Sequence, residues 1–185
     1  PEEVRITRYA LQAGWAVVAM SSADRAFSRC WSFEEDGPAV AGALKTLRAA
    51  QGLESVPLAA MGASSGGAFV LQLPQAVSGL QAVVSQIMAI PPQMLTVPGD
   101  AKFPPTMFVH MQRDRRTASM VKMCLAHLGQ SGSSQRGNRC RLILLCSVAF
   151  FIVRLGRARR DVCSMGSRAG LRPGASMVKE GTVAC

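Results

Sequence analysis

The stretch Val56-Pro57-Leu58-Ala59-Ala60-Met61-Gly62-Ala63-Ser64-Ser65-Gly66-Gly67 decides how this chain is read, because an apolar strand runs into a glycine-flanked serine and then into a helical segment. Residues 56–61 supply the strand; Ala68-Phe69-Val70-Leu71-Gln72-Leu73 continues the helix until Pro74 stops it. In that context a Gly-x-Ser-x-Gly spacing reads as a nucleophile elbow. Gly62 and Gly66 remove the Cβ atoms that would clash where such a turn closes on itself. The Ser64 hydroxyl is then expected to point into a cleft, and the Ser65 amide, at the helix N-terminus, to face an oxyanion formed there. The competing reading is a serine-rich turn with no chemistry.

Upstream, residues 2–13 carry acids in the first turn and Gly14 just past the end, the marks of a short helix. Trp15-Ala16-Val17-Val18-Ala19-Met20 is a continuous apolar run, expected as a strand buried on both faces. Residues 21–35 read as a long connecting loop. Its arginines and aromatics could mimic a nucleic-acid pattern, but a loop packing aromatics over a sheet edge is the expected reading. Asp36-Gly37-Pro38 reads as a helix start. Val40, Ala43, Leu44, Leu47 and Ala50 then form one apolar face and Gly52 ends the helix.

Downstream, residues 80–90 make the next apolar strand, broken by Pro91-Pro92. Residues 105–110 make another, and residues 117–128 a helix with Met120, Met123, Cys124 and Leu128 inward. Asp114 thus lies in a loop at a strand's C-terminal end, where ligand and catalytic groups gather in open parallel sheets. Alternating apolar strands and amphipathic helices predict an α/β fold with a mostly parallel sheet covered on both sides.

The character changes at Gly129. Residues 1–128 hold eleven Lys/Arg against nine Asp/Glu, a net of +2, whereas residues 129–185 hold ten against two, a net of +8. The strong basicity of the whole, +10, therefore belongs to the tail. Residues 130–138 read as a low-complexity linker. Residues 142–153 are apolar but shorter than the roughly 20 residues a transmembrane helix needs, so a last strand or an interfacial segment is expected. Beyond Arg154 the sequence reads as an irregular basic tail, solvated rather than bound to nucleic acid or anionic lipid.

No CxxC pair occurs among the six cysteines, and His110 and His127 are the two histidines, so neither a metal site nor a cofactor is expected. The thiols read as free, in a reducing intracellular compartment. With Pro1 in place of methionine and no signal peptide pattern, the chain reads as a fragment or processed product.

Taken together, the strand at 15–20, the helix at 38–51, the strand at 56–61 and Gly62-x-Ser64-x-Gly66-Gly67 resemble the central portion of the α/β-hydrolase superfamily. Pro105-Thr106-Met107-Phe108-Val109-His110-Met111-Gln112-Arg113-Asp114 is similar to that family's later strand carrying the triad acid, with Met111 where the usual pattern has glycine. The resemblance covers roughly residues 1–128. It implies a partial three-layer sandwich over those residues, with the basic tail at 129–185 lying outside it. Ser64 would be the nucleophile, Ser65 an oxyanion-hole donor, and Asp114 the acid that orients histidine, in hydrolysis of a small ester, thioester or amide.

Neither histidine fits the family's chain order of nucleophile, acid, histidine. His110 precedes the acid, and His127 lies in the helix straight after it. The family's upstream oxyanion donor is also missing, and the gap between Ile90 and Phe103 is too short for a cap domain. The expectation is therefore an impaired hydrolase or, as the alternative, a non-catalytic binding domain on the same scaffold. Incomplete edges would also make the chain poorly soluble.

Overall fold

The computed structural model describes residues 2–111 and 113–130, together with the strands Gln135–Cys140, Ala149–Arg154 and Val183–Ala184. In chain order the elements are α1 (Glu2–Gln12), β1 (Trp15–Met20), α2 (Phe33–Ala50), β2 (Leu58–Ala63), α3 (Ser65–Gln72), β3 (Leu80–Gln86), β4 (Thr106–Met111), α4 (Arg115–Gln130), β5 (Gln135–Cys140), β6 (Ala149–Arg154) and β7 (Val183–Ala184). The strands form one sheet in the order β5-β4-β3-β2-β6-β1-β7. β2, β3 and β4 are parallel neighbours joined through helical or long connections. This is a mixed α/β fold with flanking helices.

Side-chain alternation sorts the sheet's faces. Leu58, Ala60, Val83 and Phe108 share one core with Leu44 of α2, Phe69, Val70 and Leu71 of α3, and Val121, Cys124 and Leu128 of α4. Val18 of β1 joins the same core, and Val17 is buried on the other face, with α1 packed against β1. Over β2–β4 that second face is only half-covered: Met61, Val84, Val109 and Met111 are all partly exposed.

Several boundaries differ from the sequence reading. Residues 33–35, expected in a loop, open α2, so Pro38 lies inside the helix rather than at its start. The Asp36 carboxylate explains the extra turn, because it accepts from the amides of Ser32 (2.9 Å) and Ala23 (2.8 Å). The aromatics beside it also leave the solvent: Trp31 packs on Phe69 with centroids 4.5 Å apart, and Phe33 at 6.2 Å. The strand expected over residues 80–90 stops at Gln86. There Ile87 takes φ 51° and the Ser85 hydroxyl donates to the Met88 carbonyl at 2.9 Å, which turns the chain away.

Residues 135–138, within the stretch read as a linker, belong to β5, parallel to β4. The apolar run 142–153 contributes β6, which lies antiparallel between β1 and β2. β1 and β2 therefore point the same way without touching. Residues 142–148 of that run, and the irregular tail expected from 155 to 182, fall outside the described residues. Among the described residues no helix is long and apolar enough to cross a membrane.

Candidate functional site

β2 ends at Ala63 and α3 begins at Ser65, so Ser64 is the single residue between strand and helix. Its backbone sits at φ 53°, ψ −125°, outside the regions a side-chain-bearing residue normally occupies. Such a conformation costs on the order of 1–3 kcal/mol and persists only where the surroundings over-determine it. The surroundings here do. The Ser64 amide donates to the Gln86 carbonyl of β3 at 3.0 Å, and the Ser64 carbonyl accepts from the Ala68 amide at 3.1 Å.

Gly62 has no room for a side chain, and neither has Gly67, which the sequence reading did not single out. A Cβ on Gly62 would run into the carbonyl carbon and oxygen of Gly66. One on Gly67 would lie 2.7 Å from the Ser85 hydroxyl and 3.1 Å from the Gln86 carbonyl. The turn is therefore pressed against the end of β3, which sequence reasoning treated as an uninterrupted strand. The Ser64 hydroxyl makes no capping bond to α3. The Ser65 amide, in the first turn, has no intrahelical acceptor.

Ser64 and Asp114 lie at the same edge of the sheet, since β2 and β4 run parallel and each residue follows its strand's C-terminal end. Asp114 is engaged locally. Its carboxylate accepts from the Thr117 amide at 3.0 Å, and its carbonyl accepts from Ala118 at 2.9 Å, so it caps α4. The Thr117 hydroxyl and amide, followed by the Arg116 amide and the nearby His110 charge, hold its carboxyl below the usual carboxylate range. A depressed pKa stabilises the fold above the unfolded carboxyl's pKa, and that contribution is lost as pH falls through the folded value. Asp114→Ala should accordingly lower stability by about 1 kcal/mol. Asp114→Asn, a competent cap, should lose much less, as paired thermal melts at neutral pH will show.

His110 is 9 % exposed on β4, and its Nδ1 lies 3.3 Å from the Met111 carbonyl. Ala63 pairs with Gln86, and Gln86 with Val109, so His110 and Ser64 stand at the same level of the sheet with β3 between them. Two strand spacings separate their backbones by about 10 Å. His110 thus lies within electrostatic reach of Asp114 and on a different strand from the serine. His127 is exposed on α4.

Asp24, which the sequence reading passed over, organises the loop after β1. Its carboxylate accepts from the amides of Ala26, Phe27, Ser28 and Arg29 and from the Ser28 hydroxyl. The Phe27 amide and the Ser28 hydroxyl lead in driving its pKa far below the ordinary value. An aspartate followed by a serine four residues on, between a strand and a helix, was the available signal. Among the described residues no group of three or more His, Cys, Asp or Glu side chains could hold a metal ion.

No protein family matches the chain, and neither a curated protein nor a solved structure does.

Proposed function

We propose that this chain is built on the plan of an α/β-hydrolase serine enzyme, with Ser64 as the nucleophile toward an ester, thioester or amide carbonyl, and with its activity impaired by the lack of a placed base. The observation that carries this reading is the Ser64 backbone at φ 53°, ψ −125° between a parallel strand and a helix, with Gly62 and Gly67 admitting no Cβ. Strain concentrated on one serine at the C-terminal edge of such a sheet suits a group that must project toward a substrate.

In the proposed chemistry the Ser64 Oγ bonds to the acyl carbon, the carbonyl π electrons move onto oxygen, and the Ser65 amide donates to that oxyanion. Collapse expels the leaving group and leaves an acyl-serine, which water then cleaves. The serine proton needs an acceptor, and in a triad a histidine supplies it and passes it to the leaving group. Asp114 would orient that imidazole. Removing a triad member in a characterised protease leaves roughly 10³–10⁴-fold acceleration over water from binding and the oxyanion hole. With one donor identified in place of a pair, less is expected here.

The second reading, a non-catalytic domain binding a ligand at the same edge, is favoured by His110 lying across β3 from Ser64 and by Asp114 serving as a helix cap. Nitrophenyl acetate hydrolysis with and without added imidazole separates the two. Without imidazole, the chain and its Ser64→Ala variant should both run barely above background. With imidazole as an external base, the parent should exceed Ser64→Ala, and a fluorophosphonate should label Ser64 weakly. No rescue and no label would favour the binding domain. Brisk turnover without imidazole, abolished by Ser64→Ala, would overturn the missing-base account.

A further inference from the structure

The loop between β1 and α2 carries a second feature of the sheet's C-terminal edge, independent of Ser64. A cavity of about 300 Å³ opens just beyond Met20, lined by Ser21, Ser22, Asp24, Arg25 and Arg29. Its charges are unequal in availability. Both Asp24 oxygens are taken by the loop itself, at 3.1 and 2.9 Å from the Ala26 and Phe27 amides on one side. On the other they meet the Ser28 amide (2.8 Å), the Ser28 hydroxyl (2.7 Å) and the Arg29 amide (3.2 Å).

The two guanidiniums belong to exposed residues, and among the described residues neither has an ion-pair partner. The cavity therefore presents two free cations around a carboxylate already saturated by five donors. Arg29 is held at φ 54°, and the Asp36 carboxylate ties both ends of the loop, at Ala23 and at Ser32, to the first turn of α2. A loop backbone already fixed before a ligand arrives leaves only the two arginine side chains to be ordered on binding.

We propose that this cavity is a binding site for a small anion, a carboxylate or phosphate group held between Arg25 and Arg29. Planar guanidiniums suit both groups through paired N–H···O bonds, and the volume lies at the small end of ligand pockets. The rival occupant is an anionic membrane surface, for which Phe27, 92 % exposed at the loop's outer turn, would be the apolar wedge. The concavity between the arginines favours the small ligand, because a bilayer meets a protruding patch rather than a recess.

Calorimetric titration of the full chain with inorganic phosphate and with butyrate tests this. Saturable binding of either anion is expected, and the preferred one identifies the group recognised. Arg25→Gln and Arg29→Gln should each weaken it about tenfold or more, while Lys102→Gln, ahead of β4 at the opposite end of the sheet, should leave it unchanged. Binding should also fall as salt rises from about 0.05 to 0.5 M. Circular dichroism of each variant confirms that the fold is retained. The proposal is overturned if neither anion binds at millimolar concentration, or if both arginine variants bind as the parent does. It is equally overturned if only phosphatidylglycerol vesicles bind, with loss on Phe27→Ser.

Discussion

Gly62→Ala should destabilise the protein by at least about 3 kcal/mol, a large share of the roughly 5–15 kcal/mol that holds an ordinary domain together. The added methyl would occupy the space of the Gly66 carbonyl and press on the Gly67 nitrogen at 3.0 Å. All of these are backbone atoms at the start of α3, so no side chain can rotate out of the way. Relief requires moving the helix, which is clamped by the Ser64–Gln86 bond and by Gly67 against Ser85 and Gln86. The matched control is Gly42→Ala in α2, where nothing lies within 4 Å of the new Cβ. There the change should stabilise by about 0.5–1 kcal/mol, because alanine loses less conformational freedom in a helix than glycine. Urea midpoints of the two variants should move in opposite directions. A Gly62→Ala protein melting with the parent would mean that the turn around Ser64 is loose.

Truncation after Gln130 should abolish cooperative folding, although the sequence reads the chain beyond residue 128 as a linker and basic tail broken only by the apolar run 142–153. β6 runs antiparallel between β1 and β2, pairing Trp15 with Arg154 through Met20 with Ala149 on one side and Leu58 with Val153 through Gly62 with Ala149 on the other. Without it, neither strand has a partner on the edges that now face β6. β1 would be left with α1 and a few core contacts, and β2 would become an exposed sheet edge beside the serine turn. Ile152→Pro is a milder test of the same point. Ile152 pairs with Val17 and Ala59, and proline in a central strand removes a ladder donor and fits poorly there. Both changes should broaden or erase the thermal transition and expose apolar surface to a hydrophobic dye. A sharp, parent-like melt of the truncated chain would show that β6 is dispensable.

The half-covered face bearing Met61, Val84, Val109 and Met111 bears on handling as well as on folding. Apolar sheet surface of this kind favours association, so both experiments are best read at several protein concentrations. A midpoint that moves with concentration would report self-association in addition to folding.

The strand, strained serine and helix around Ser64 were legible in the sequence because their causes are local. Glycine at 62 and 66, an apolar run before and a helical run after mark the turn, and Asp114 could be placed at a strand end by the same reasoning; the need for glycine at 67 comes from Ser85 and Gln86 of β3 and was not legible. The parallel direction of β2, β3 and β4 followed from the connections between them. Tertiary structure alone decided the rest. Pro38 looked like the first residue of α2, but Asp36 reaching back to Ala23 and Ser32, with Trp31 and Phe33 settling on Phe69, carried the helix a turn further upstream. His110 looked like a strand residue placed before the acid, and only the register of β2, β3 and β4 brings it level with Ser64 and leaves it a strand away. Asp114's capping of α4 through Thr117 competes with the role that the family resemblance implied for it. The insertion of β6 between β1 and β2 had no local signal at all, because a strand's partner is chosen by which hydrogen-bonding edge is open in the assembled sheet, across some 90 to 140 residues of chain.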